Sequence, residues 1–399
     1  MQESMPIRVL HVIGGTECGG SESWLVELAK RCDRRQLSMD FLVHSHEPGH
    51  YDQVLIDHGA KLLRCASPRS PWRYARTFRR LLRQYGPYQV VHSHVSFFSG
   101  LPLKVAAHAA VPMRVAHSHH VTATDSETHK SVPRGMYESI MGRWIARHAT
   151  HRISTSDAAQ RTLDSRQNKG ESWQTIYCGI DLTPFQRSTD SIAIRNELGI
   201  PESAFVVGHT GRFVEVKNHG YLLDTMAHLL QQDPTYMLVL MGDGELRPQM
   251  EAKASELGIA QQVRFLGVRT DVAKLLSGAI DTFAFPSHHE GLGLALIEAQ
   301  AAGLPCITSS SVPEEATVVP ELITRLPLSA GPAVWAEAIA TIRKQPLTID
   351  RQTAYQQVAA SHFNIATNLR QIKELYAKVR FHKSFQENGF DPSMELSTT

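Results

Sequence analysis

Cysteine is scarce and unpatterned in this sequence: Cys18, Cys32, Cys65, Cys178 and Cys306 are scattered, odd in number and free of any CxxC pair. That excludes a disulfide or zinc-ribbon framework and points to reduced thiols in a cytoplasmic setting. No apolar run approaches the ~20 residues of a membrane span. The first residues, Met1-Gln2-Glu3-Ser4-Met5-Pro6, carry no basic stretch, so no signal peptide is expected. A large excess of one charge is also missing, and the net charge of +2 with no recognition motif argues against nucleic-acid binding. The small total conceals an asymmetry. Residues 1–200 carry 25 Lys/Arg against 18 Asp/Glu, and residues 201–399 carry 16 against 21. A basic first half meeting an anionic acceptor or membrane surface explains this, and so do two domains attracting across a cleft.

A length of 399 residues exceeds one ordinary core and predicts two domains. Ile7–Ile13 reads as a strand, the loop 14–20 is rich in glycine, and a helix is expected from about Ser21 through Lys30. Strand, glycine loop and helix open a nucleotide-binding α/β unit. Further strands are expected at Met39–His44, Gln89–His94, Met113–Ser118 and His151–Thr155. A break at Cys178-Gly179-Ile180-Asp181 leads into a second series, with strands at Phe205–Thr210, Tyr236–Met241, Gln262–Leu266, Thr282–Phe285 and Cys306–Thr308. The fold class is therefore α/β, two doubly wound Rossmann-like domains with parallel sheets. The expected limits are 1–185, 186–364, a terminal helix over 365–382 that can cross back to the first domain, and a polar tail over 383–399.

The most informative stretch runs from Ser287 to Ala299. It sets Glu290 in a strand-to-helix loop and Glu298 about two turns along the helix after Gly291-Leu292-Gly293. A phosphate at that helix start and hydroxyls beside Glu298 describe a nucleotide sugar. Upstream, Gly211-Arg212 and Lys217 place two cations five residues apart on one loop, able to meet one diphosphate. A capped, solvated helix and two exposed cations are the plainer explanations of each motif taken alone.

Together these residues resemble the acidic E-x7-E and basic G-R-x4-K motifs of glycosyltransferase family 4, retaining enzymes of the GT-B fold with relatives in surface-polysaccharide synthesis. Gly179-Ile180-Asp181 resembles that family's interdomain signature. The resemblance implies a nucleoside-diphosphate sugar donor, UDP-linked by expectation, and a glycan or polyprenyl-linked acceptor. It implies no cofactor and no metal. It gives Arg212 and Lys217 the leaving diphosphate, Glu290 the donor sugar and Glu298 the ribose. Gly15, Gly242, Gly291, Leu292 and Gly293 would lie against phosphate or nucleotide, with the backbone at Val268 against the base. It also gives a cleft histidine the sugar, and the offset leaves both His119 and His117 eligible.

His92/His94 and His117/His119 also stand at spacing two on strand ends, where they share a face and can ligate a metal as in a metallohydrolase. No downstream Asp/His/Cys set completes such a sphere in the sequence. The glycines at 14, 15, 19 and 20 do not form G-x-G-x-x-G, which argues against a dinucleotide oxidoreductase. Arg69, Trp72, Arg73, Arg76, Arg79, Arg80 and Arg83 interleave with Tyr74 and Phe78, fitting peripheral contact with an anionic membrane face or a helix packed on its own domain. A sugar-nucleotide epimerase, a phosphorylase or a non-catalytic sugar-nucleotide-binding subunit remain alternatives.

Overall fold

The structure is a computed structural model, and it describes residues 5–17, 19–119, 132–163 and 173–379. Cys18, His120 and the expected segments beyond 379 lie outside the described residues. Two parallel sheets divide the chain. The first joins β1 (Ile7–Ile13), β2 (Leu37–Val43), β3 (Leu62–Arg64), β4 (Val90–Ser93), β5 (Met113–Ser118), β6 (His151–Ser154) and β7 (Gln174–Thr175) in the order β3-β2-β1-β4-β5-β6-β7. The second joins β8 (Phe205–Thr210), β9 (Tyr236–Met241), β10 (Val263–Phe265), β11 (Thr282–Phe285), β12 (Cys306–Ser309) and β13 (Ile323–Leu326) in the order β10-β9-β8-β11-β12-β13.

The strands are runs of Val, Ile, Leu and Met because helices cover both faces of each sheet. All six residues of β9 are buried. Strand order reverses between β1 and β4, and again between β8 and β11. At such a switch the connections leave in opposite directions and open a crevice at the strands' C-terminal ends. The edge strands β3, β7 and β13 escaped the sequence reading because they are short and mostly only part-buried, so they carry no continuous apolar run.

The helix Gly20–Arg31 seats Trp24, Leu25 and Leu28 in the first core. Ile365, Ile372, Leu375 and Tyr376 of the helix Ile365–Ala377 join the same core. Their chain returns from the second domain at Ile180, which bonds through its backbone to Phe363 and Ile365 (2.8 and 3.1 Å). Trp24 Nε1 donates to Asn368 Oδ1 (3.1 Å), closing that helix onto the first domain. The helix Pro71–Tyr85 turns Tyr74, Phe78, Leu81 and Leu82 inward against its own domain. Its arginines point outward, with Trp72 at 81% exposure.

Candidate active site

The second domain's crevice is built from strand-end loops laced to one another. Gly211 N donates to Met241 O (2.9 Å), Phe213 N to Asp243 O (2.9 Å) and Gly242 N to Gly267 O (2.8 Å). These bonds lock the loops after β8, β9 and β10 side by side. Gly242 has φ +138°, and a Cβ there would stand 2.1 Å from the Gly211 carbonyl oxygen. Only glycine permits that approach. The Arg212 loop is also tied to the end of β11, since His288 N donates to Val216 O (2.9 Å) and Asn218 Nδ2 to Pro286 O (3.3 Å).

On this frame Arg212 is exposed, and no ion-pair partner is recorded for it among the described residues. Lys217 Nζ lies 2.7 Å from Glu290 Oε1, and both side chains are mostly buried. Lys217 also sits 5.2 Å from the Phe285 ring centroid. Gly293 (φ +92°) caps the helix Leu294–Ala301 without any side-chain acceptor. Leu296 N donates to Gly293 O (2.9 Å), and the N–H groups of Leu294 and Ala295 at the helix start stay available. Glu298 keeps some contact with solvent as a residue, yet its carboxyl is ringed by protein, and burial pushes it up to about 7. Val268 is 47% exposed beside Gly267, while Leu292 is buried in the core.

The first domain's crevice is of a different kind. Register pairs His11 of β1 with His92 of β4, and β5 lies next, so five histidines gather under the strand ends. His92 and His94 stack at 4.2 Å between ring centroids, and His117 and His119 lie tilted to each other at 4.0 Å. Hydrogen bonds join His11 Nδ1 to His94 Nε2 (3.0 Å), His94 Nδ1 to His119 Nε2 (2.8 Å) and His92 Nε2 to His117 Nδ1 (3.1 Å). The string continues from His92 Nδ1 to Tyr376 Oη (2.6 Å), and from His119 Nδ1 to Cys178 Sγ (3.6 Å). Trp24 lies edge-on to His117 at 5.5 Å.

Burial keeps His11, His92, His94 and His117 neutral. It pushes His11 to about 3 and His94 well below its usual range. His117 also falls to about 3 through burial and then the charge of His11, with the Ile176 carbonyl acting in the opposite direction. Burial likewise raises the Cys178 thiol, which stays protonated. Beside the cluster a cavity of about 250 Å³ is lined by Ile13, Gly14, Ser21, Glu22, His94, Val95 and Ser96.

The two crevices meet near the Glu290 loop. Ser156 donates its hydroxyl to the Gly291 carbonyl (2.8 Å), and a Cβ on Gly20 would stand 3.3 Å from Leu294 Cδ1. Arg212, Lys217, Glu290, Gly242, Val268 and Gly291–Gly293 thus gather on the second domain, and Glu298 follows on the helix they start. Gly15, His117 and His119 lie at strand ends of the first. Sequence reasoning left His92 and His94 without a completed ligand set, and it missed His11 as the partner of His94, Tyr376 as that of His92 and Cys178 as that of His119. Strand adjacency supplies what spacing could not: β1, β4 and β5 are neighbours, so histidines some 80 residues apart share one floor. The one available signal was the phase of His11, placed like His92 near the C-terminal end of a buried strand.

Two doubly wound domains whose switch points meet across a common crevice define the class of GT-B transferases. The chain belongs to glycosyltransferase family 4 and is an enzyme of the glycosyltransferase type. The model for Glycosyltransferase Family 4 matches residues 18–184, and that for Glycosyl transferases group 1 matches residues 190–359. The chain is 35% identical over 340 residues to the protein described as glycosyltransferase EpsF of Bacillus subtilis (strain 168), covering 84% of this chain and 87% of that one. It is 25% identical over 376 residues to the capsular polysaccharide biosynthesis glycosyltransferase CapH of Staphylococcus aureus, covering 93% and 98%. The crystal structure of Anabaena HepE in complex with UDP and glucose shares the fold, with a TM-score of 0.76 at 23% identity, covering 93% and 99%.

Proposed function

We propose that this enzyme transfers a sugar from a UDP-sugar to a glycan or polyprenyl-linked acceptor in surface-polysaccharide synthesis, with retention at the anomeric carbon and without a metal in the transfer step. Residues 1–185 receive the acceptor, beside the cavity at Gly14, Glu22 and His94. Residues 186–364 hold the donor. The observation that carries this reading is the laced loop set of the second domain, which holds Arg212 and the Lys217–Glu290 pair beside the uncapped start of the Leu294–Ala301 helix. Fixed cations and helix N–H groups aimed at one place suit a diphosphate that gains charge as it leaves.

In this mechanism Arg212 meets the diphosphate at its open end. Lys217, held by Glu290 before the donor arrives, shifts its ion pair toward phosphate oxygen when the donor binds. Glu290 is then released to accept from sugar hydroxyls. Glu298 accepts from the ribose, and the base stacks over the loop of Gly267 and Val268. His119, on the facing domain, meets the sugar, with His117 behind it. The similarity to the capsular polysaccharide biosynthesis enzyme CapH supports the polysaccharide setting, and the HepE complex supports the UDP donor.

The outward arginines and Trp72 of the helix Pro71–Tyr85 support docking of the enzyme on the inner face of an anionic membrane. The test is turnover with a panel of UDP-sugars: UDP release is expected to depend on an added lipid-linked acceptor, and the product's anomeric proton coupling to match the donor's. Binding of UDP with no acceptor-dependent release from any donor would overturn the assignment.

A further inference from the structure

The histidine floor holds more converging imidazole nitrogens than contact with one sugar needs. His94, His117 and His119 each present one nitrogen within 4.8 Å of the nitrogens of the other two. Their remaining nitrogens are held from behind: His94 Nε2 by His11 (3.0 Å), His117 Nδ1 by His92 (3.1 Å) and His119 Nδ1 by Cys178 (3.6 Å). His92 is itself anchored on Tyr376 (2.6 Å). An outer partner on each ring that fixes its tautomer and aim is the arrangement metal-binding imidazoles use.

The inner nitrogens are then His94 Nδ1, His119 Nε2 and His117 Nε2. The first two bond each other across 2.8 Å. The third is buried without any hydrogen bond, a cost that an ion would remove. Two imidazole nitrogens on one tetrahedral zinc ion stand about 3.3 Å apart. Exchanging the shared proton of His94 and His119 for an ion therefore needs a shift of a few tenths of an ångström. His94 and His119 are 7% and 8% exposed, and His94 lines the cavity that opens on the crevice, which supplies an entry path.

We propose that His94, His117 and His119 form a three-imidazole site for one divalent transition-metal ion of the zinc type. Imidazole donors favour zinc, cobalt, nickel and copper over magnesium or calcium. Three ligands leave a fourth position for water or a small anion. Where His119 meets the donor sugar, the ion competes with the donor and holds the enzyme inactive. That consequence rests on the proposed function, whereas the binding itself does not.

The test is calorimetric titration of the full chain, stripped with chelator, with zinc chloride. A parallel cobalt titration is followed by visible absorption. One site of micromolar or tighter affinity is expected, with the intense ligand-field bands of four-coordinate cobalt. His94→Gln and His117→Gln are each expected to weaken binding at least tenfold, and His11→Gln, one bond removed, by about tenfold. His108→Gln, a surface change, serves as the control. Circular dichroism confirms that each variant is folded. If His117→Gln unfolds, His94→Gln and the wild-type cobalt spectrum still decide.

Wild-type affinity in His94→Gln, or only the weak spectrum of six-coordinate cobalt, would overturn the site. Zinc binding that leaves donor affinity unchanged supports the site and removes His119 from the donor pocket. Transfer without zinc binding overturns the site alone.

Discussion

The two switch points occupy equivalent places in two similarly ordered sheets and hold opposite chemistry. Between β1 and β4 lie imidazoles bonded to one another, with His11, His92, His94 and His117 all driven down by burial. Between β8 and β11 lie charges: exposed Arg212, the Lys217–Glu290 pair and Glu298. The sheet supplies a crevice at a fixed topological position, and the side chains at the strand ends supply its function. A neutral, deeply packed floor suits orientation of uncharged hydroxyls. A charged rim on rigid loops suits a diphosphate.

The sharpest way to break this contrast is to remove a charge from the rim. Lys217→Ala or Arg212→Ala is expected to lower kcat by about 10²–10³, the usual loss when one preorganised donor to a developing anion is deleted. Acceptor-dependent UDP release measures it. Lys217→Ala also leaves Glu290 without its cation, so weaker donor binding is expected in that variant alone. Full activity in either variant would remove that residue from the diphosphate.

The lacing of the rim gives the next effect. Gly242→Ala forces a side chain into φ +138° and against the Gly211 carbonyl, at about 1–3 kcal/mol of strain. Because Gly211 precedes Arg212, a lower melting temperature and a lower kcat are expected together. Loss of stability with kcat unchanged would show that the Arg212 loop tolerates displacement.

On the neutral side, Tyr376→Phe removes the hydroxyl that satisfies His92 Nδ1 in full burial. An unpaired buried nitrogen costs about 1–3 kcal/mol. A denaturant midpoint shifted by that amount with an unchanged m-value is the expected result. An unaltered midpoint would mean that the first domain does not need the anchor from the terminal helix.

How legible each half was follows the same division. The rim is local: Arg212 and Lys217 share one loop, and Glu290 and Glu298 share another, so spacing along the chain carried the reading. The central strands were legible for a similar reason, since β5 and β9 are buried runs with definite ends, Met113–Ser118 and Tyr236–Met241. The floor is not local. His11, His92 and His117 come from three strands, Cys178 from the linker and Tyr376 from a helix near the far end of the chain. Only strand order and the return of that helix bring them together, and neither has a short-range signature. The Lys217–Glu290 pair was hidden too, because each side chain had been read toward a ligand rather than toward the other.

The smallest expected effect tests whether Glu298 belongs with the charged rim or with the buried floor. Burial holds its carboxyl up to about 7, above the usual carboxylate range. In the unliganded protein this is a cost. The folded state binds more protons than the unfolded one, so stability falls as pH rises from about 4.5 to about 7 and then levels off. Ribose hydroxyls that donate to the ionised carboxylate reverse the balance in the complex. Donor binding then releases a proton below pH 7, and donor affinity rises about tenfold between pH 6 and pH 8, as the ionised fraction grows from about a tenth to about nine-tenths. Titrating UDP at three pH values in two buffers of different ionisation enthalpy reads both the affinity and the proton. Glu298→Gln, which cannot ionise, is expected to flatten the profile at an affinity near the wild-type value at pH 6. A wild-type profile already flat, with no proton released, would place Glu298 with the neutral groups and take it off the ribose.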